Sequence, residues 1–262
     1  MRLELNKKTN LITTIFILIF VQMVLFSQNK QIEIGIDEKL GNFLPLDLEF
    51  RNSNNDKIKL DDVINKPILL ALVYYECPGI CNSTLTELAW VIDRVDLVPG
   101  EDFEVVTISI DHDETPAVAK KSKNNYFASL QRDFPKESWN FLTGDSLTIS
   151  KLSNSVGYYF KKYEEEFRHP GGLITISPKG KISRYLFGTQ FNQFDVKMAL
   201  LDAEAGKTNP TIAKVLKLCF SYNAADNSYR LSATRIIGGI MLISILSYLV
   251  FLLMKKRKVV KA

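Results

Sequence analysis

The uncharged run Pro67-Ile68-Leu69-Leu70-Ala71-Leu72-Val73-Tyr74-Tyr75 constrains this chain more than any other stretch. A short, unbroken apolar segment bounded by turn residues reads as a buried strand. It is followed at once by Glu76-Cys77-Pro78-Gly79-Ile80-Cys81, so two thiols stand where the strand ends and a helical pattern begins. Residues four apart on a helix share a face, with Cβ atoms about 5–6 Å apart. That spacing admits a disulfide, and it equally admits joint coordination of one metal ion.

The rest of the middle region supplies a layered α/β pattern around this strand. Residues 28–40 read as a linker, 43–50 alternate as an early strand, and Asn52-Ser53-Asn54-Asn55-Asp56 is a turn. After Cys81, Thr84-Leu85-Thr86-Glu87 fits a capping box, and Leu85, Leu88, Ala89, Ile92 and Val95 recur at helical spacing. Residues 103–110 form the next strand, 115–130 a helix with Pro116 in its first turn, 139–143 a third strand and 146–156 another helix. Residues 161–168 are charged and read as an exposed loop or ribbon. Residues 173–176 and 182–187 flank Pro178-Lys179-Gly180-Lys181 as a hairpin, and 190–204 are helical. Strands alternating with helices and closing in a hairpin predict an α/β sandwich of thioredoxin type.

Both ends of the chain differ from this middle. Lys7 and Lys8 precede an apolar stretch from Leu11 to Phe26, and polar residues begin at Ser27, the pattern of a signal peptide over 1–27. An uncleaved anchor is the alternative. Near the other end, the 19 residues from Ile236 to Met254 carry no charge and run into Lys255-Lys256-Arg257-Lys258. This predicts a transmembrane helix over 235–254 and a basic cytoplasmic tail over 255–262. Residues 28–230 then form an extracytoplasmic domain, tethered by its C-terminal end in an oxidising compartment. The net charge of +4 belongs to the ends. Residues 1–27 hold three Lys/Arg and one Glu, and 235–262 hold six Lys/Arg and no acid, which leaves 24 basic and 28 acidic residues between them, a net of −4. No basic nucleic-acid surface follows from that balance.

The candidate chemistry lies in few residues. A thiol at a helix N-terminus has a lowered pKa, and thiolates are soft ligands for Cu(I), although a purely structural disulfide fits the same spacing. The chain has two histidines. His169 precedes Pro170-Gly171-Gly172 at the entrance to the hairpin, which a thioredoxin-like fold carries toward the cysteine turn. His112, in Asp111-His112-Asp113, ends the 103–110 strand and reads as an exposed loop residue or an auxiliary ligand. Cys219 reads as a buried, inert thiol, with an intermolecular disulfide as the alternative, and Asn82-Ser83-Thr84 as a chance match to a glycosylation sequon.

Together the buried strand, Cys77-Pro78-Gly79-Ile80-Cys81, the segment Phe103-Glu104-Val105-Val106-Thr107-Ile108-Ser109-Ile110-Asp111 and the single histidine before a Pro-Lys-Gly hairpin resemble the Sco/SenC family over residues 40–190. The segment Arg184-Tyr185-Leu186-Phe187-Gly188, then Leu218-Cys219-Phe220-Ser221-Tyr222-Asn223 and the terminal apolar run, resemble a bacterial subgroup with a C-terminal span. The resemblance implies a copper metallochaperone that serves the copper-bearing subunit of cytochrome c oxidase. It further implies one copper ion, Cu(I) or Cu(II), on Cys77, Cys81 and His169, with other copper carriers or thiol reductants as further partners. His112 and Asn82 depart from positions where the family commonly has proline. The rival class is a thiol–disulfide oxidoreductase using Cys77 and Cys81 alone, which His169 distinguishes, since metal binding needs it and exchange does not. A peroxiredoxin-like peroxidase lacks the expected Thr/Arg surroundings, and a structural membrane subunit with an incidental disulfide is the remaining reading.

Overall fold

In the computed structural model the apolar run becomes β4 (Ile68–Val73), in which no residue is more than 3% exposed. The structure describes residues 33–77, 80–164, 166–209, 220–223 and 228–231, with a few helical positions between 241 and 248. On one side of β4 lies β5 (Glu104–Ser109), followed by β6 (Trp139–Thr143), both parallel to it. On the other side β10 (Gly172–Ile176) runs antiparallel, with β11 (Ile182–Phe187) at the edge. Two further strands, β2 (Glu49–Asn52) and β3 (Lys57–Lys59), extend the far side, so the sheet order is β11-β10-β4-β5-β6-β2-β3. β4 is central, which is why it can be apolar on both faces.

Among the described residues, four helices of ten residues or more cover this sheet. α1 (Ile80–Ile92) and α2 (Pro116–Phe127) are the crossovers between the parallel strands, α3 (Ser146–Ser155) follows β6, and α4 (Gln193–Glu204) follows the hairpin. α4 packs on β10, β11 and β4, α2 on β6 and β2, and α1 touches both α2 and α4. The core is continuous and includes Trp139, Phe103, Phe141 and Leu69. Trp139 is fully buried and its indole N–H donates to Thr107 Oγ1 at 2.9 Å, so the one polar atom of that ring is satisfied. The arrangement is the mixed α/β, thioredoxin-like layering expected from the sequence.

Several local expectations are corrected. The strand expected over 43–50 is confined to Glu49–Asn52, because Leu44 N–H donates to Gly180 O and Leu48 N–H to Pro45 O, which turns the chain before it can pair. Thr84 does not cap a helix: α1 already starts at Ile80, so Thr84 lies a turn inside it and is 1% exposed. The linker expected over 28–40 contains β1 (Gly35–Ile36), which pairs with β7 (Tyr158–Tyr159). α2 ends at Phe127, short of the expected 130, and Thr115 is its N-cap. Of the loop or ribbon expected over residues 161–168, the structure forms the ribbon, β8 (Lys161–Tyr163) against β9 (Glu166–Arg168). Among the described residues no helix is long and apolar enough to cross a membrane. The segments expected as signal peptide (1–27), basic tail (255–262) and, apart from isolated helical positions, membrane span (235–254) lie outside the described residues, as does Cys219.

Candidate metal centre

The carboxyl end of β4 is where α/β sheets offer their loops to ligands. The chain leaves Val73 through Tyr74, Tyr75 and Glu76 and reaches Cys77, which is 4% exposed. Two ties hold this turn. Tyr75 buries its ring, with the hydroxyl 3.0 Å from Thr107 O and 2.8 Å from Leu142 O, so the turn is anchored to β5 and β6. Burial, and next the nearby Glu114 charge, push the Tyr75 phenol well above its ordinary pKa. The second tie is Glu114, in the loop after β5. Its carboxylate accepts the backbone N–H groups of Tyr75 at 2.9 Å and Glu76 at 2.8 Å, and the Ser109 hydroxyl at 2.5 Å. Burial raises the Glu114 pKa, and the hydrogen bonds from Ser109, Tyr75 and Glu76 oppose that rise. Cys77 also lines a groove of about 510 Å³ shared with Lys121, Ser122 and Asn125 of α2. Cys81 is the second residue of α1, and its thiol lies outside the described part of the structure.

His169 sits between β9 and β10 and is 8% exposed. The antiparallel register Ile174↔Leu70 and Ile176↔Ile68 sets the beginning of β10 beside the end of β4. His169 is thereby carried to the cysteine turn, as expected from the sequence. Its ring meets the Tyr74 ring edge-on, with centroids 6.0 Å apart, three residues before Cys77. On its other flank Tyr158 approaches, hydroxyl to Nδ1 at 2.8 Å. The Tyr158 hydroxyl also lies 2.8 Å from Leu72 O and 2.6 Å from Pro170 O. Phe167 packs on Tyr74 at 5.6 Å and closes the apolar surround. A buried thiol and a buried imidazole at one sheet end, the imidazole held by a second residue, suit a soft transition metal such as copper.

His112 has other neighbours. Its Nδ1 is 3.2 Å from Asp113 and 3.7 Å from Asp111, and Lys162 Nζ lies 3.6 Å from Asp113. The candidate ligand atoms of Asp111, His112 and Asp113 all lie within 4.8 Å of one another. The ammonium beside them opposes a second cation, and the group is the exposed loop foreseen for His112. Sequence reasoning missed Tyr74, Tyr158 and Glu114. Tyr74 was read only as part of an apolar run. The other two act across 86 and 39 residues, on Leu72 and Tyr75, and no local pattern marks them.

The family model for SCO1/SenC proteins matches residues 41–200. The chain belongs to the SCO1/SenC family. That match takes in Cys77, Cys81 and His169. Among solved structures, a candidate electron transfer protein from Aquifex aeolicus VF5 is 26% identical, with a TM-score of 0.58 over 64% of this chain and 96% of that one. A candidate electron transport protein from the same organism is 24% identical, with a TM-score of 0.55 over 64% and 99%. ScoI of Arabidopsis thaliana, solved with copper bound, shares 19% identity and a TM-score of 0.51 over 64% and 99%. No curated protein matches the sequence. As an SCO1/SenC protein the chain keeps its buried thiol and histidine at one end of the sheet, where the thioredoxin-like layering leaves room for chemistry.

Proposed function

We propose that this protein is a copper metallochaperone that serves assembly of the copper centre of cytochrome c oxidase, holding one copper ion on Cys77, Cys81 and His169. The observation that carries the reading is the buried pairing of chemistries at the end of β4: Cys77 on one connection and His169 on the neighbouring one, within an SCO1/SenC chain. Two thiolates suit Cu(I), and an added imidazole extends the set to Cu(II). The copper-bound Arabidopsis ScoI structure supports the same cargo. The partner is the copper-bearing oxidase subunit, with other copper carriers or thiol reductants supplying metal or electrons.

The domain 28–230 works outside the cytoplasm, tethered to the bacterial inner membrane by a span over 235–254. The uncharged run Ile236 to Met254 and the Lys255-Lys256-Arg257-Lys258 cluster behind it support this placement.

His169→Ala in the full-length protein tests the copper reading. Loss of one of three ligands lowers Cu(II) affinity severely and Cu(I) affinity less, because the softer thiolates dominate Cu(I) binding. Thiol exchange at Cys77 and Cys81 stays near wild type, and oxidase assembly in cells fails. Full oxidase activity in cells carrying only His169→Ala would sink the chaperone reading and promote the thiol–disulfide oxidoreductase.

A further inference from the structure

The hydroxyl of Tyr158 meets more acceptors than its single proton can serve, and the two tautomers of His169 relieve that conflict to different degrees. The Tyr158 hydroxyl has a single proton, and close to it lie Leu72 O at 2.8 Å, Pro170 O at 2.6 Å and His169 Nδ1 at 2.8 Å. Carbonyl oxygens only accept. If the hydroxyl donated to Nδ1, its oxygen would face two carbonyl lone pairs with no proton between them. His169 Nδ1 is itself 3.0 Å from Pro170 O, a contact that is a hydrogen bond only if Nδ1 bears a proton. Both contacts point the same way. Nδ1–H donates toward the phenol oxygen and Pro170 O, the phenol donates to a backbone carbonyl, and the lone pair is left on Nε2.

We propose that Tyr158 is the positioning residue of the site: it fixes His169 as the Nδ1–H tautomer and so presents Nε2 as the nitrogen donor to the metal. The proposal rests on the copper reading of His169 and deepens it. Tyr158 is 1% exposed and follows Gly157 at the end of α3, so its hydroxyl is aimed by the core. Through Leu72 O it ties the histidine to the strand that delivers Cys77, five residues upstream of that thiol. A ligating imidazole whose other nitrogen is held in this way keeps one ring orientation, and loss of such a partner costs roughly 10–100-fold in metal affinity.

The first test needs no metal and no Tyr158 variant. Long-range proton–nitrogen correlations on full-length, 15N-histidine protein, above the histidine titration range, report the tautomer directly, and a His112→Gln variant assigns the two ring systems. The expected result is a protonated Nδ1 and a bare Nε2 at His169; a protonated Nε2 overturns the proposal. The second test is Tyr158→Phe. Cu(II) affinity is expected to fall roughly 10–100-fold, with Cu(I) affinity nearly unchanged. Tyr185→Phe is the control, since it removes another buried phenol, one bonded to Val156 O at 2.8 Å and Lys39 N at 3.0 Å, and it is expected to bind both ions as wild type does. Unchanged Cu(II) binding in Tyr158→Phe, or an equal loss of both ions, overturns the positioning role. Wild-type protein that bound no copper would remove the chaperone reading, while the metal-free tautomer would still decide the Tyr158 contact.

Discussion

Two backbone amides ahead of Cys77, those of Tyr75 and Glu76, depend on one carboxylate, Glu114. Glutamine at 114 keeps one acceptor oxygen and turns a donor toward the other amide. Leaving a partly buried N–H unpaired costs about 1–3 kcal/mol, so Glu114→Gln lowers stability by that order at neutral pH. The pH dependence has a definite sign. The Glu114 pKa is raised in the folded protein, chiefly by burial. A carboxyl of this kind adds a stabilising share that is full below its unfolded pKa of 4.5 and is lost as pH rises through the raised folded value. Glutamine does not titrate, so wild-type stability minus variant stability is greatest in acid and declines toward neutrality. Urea midpoints of both proteins across that range check this, and a pH-independent difference would contradict the raised pKa.

At the scale of the element, the ends of α3 and α4 offer a controlled comparison. Gly157 and Gly206 each follow a helix with φ of +62°, but their surroundings differ. A Cβ on Gly157 would collide with Asp37 O, while one on Gly206 meets nothing within 4 Å. Alanine at 206 therefore pays only for left-handed backbone, about 1 kcal/mol. Alanine at 157 must also push β1 away from β7, which removes the Asp37 N–H bond to Gly157 O at 2.8 Å. Its expected cost exceeds about 2 kcal/mol. Tyr158 is the next residue, so Gly157→Ala also weakens Cu(II) retention. Equal unfolding midpoints for the two alanine variants would show that the close approach at Gly157 is not what shapes this junction.

For the whole molecule, charge and hydrophobicity divide the chain into a mildly acidic middle and basic, apolar ends. The tethered arrangement proposed for it makes a simple prediction. A reporter fused after Ala262 is cytoplasmic, and a tag near Lys30 is reached from outside. Both signals on one side of the membrane would refute a single span behind an exported domain. The site takes its residues from loops and its rigidity from β4, β5 and β10.

Much of this arrangement was already determined by the sequence. The apolar run from Ile68 to Val73 required a central strand, and Pro178-Lys179-Gly180-Lys181 required the hairpin that returns beside it. Strand period and turn chemistry act over a few residues, so these patterns were legible locally, and the thioredoxin-like fold they imply carries His169 toward the end where Cys77 stands. They misjudged the start of α1 and the length of β2, where hydrogen bonds to distant carbonyls and burial of Thr84 override local preference. The partners of the site belong to the tertiary structure alone. Glu114 reaches the cysteine turn, and Tyr158 joins Leu72 to His169, only once β4, β5 and β10 lie side by side. A single hydroxyl or carboxylate that satisfies groups far apart in the chain leaves no periodic trace in it.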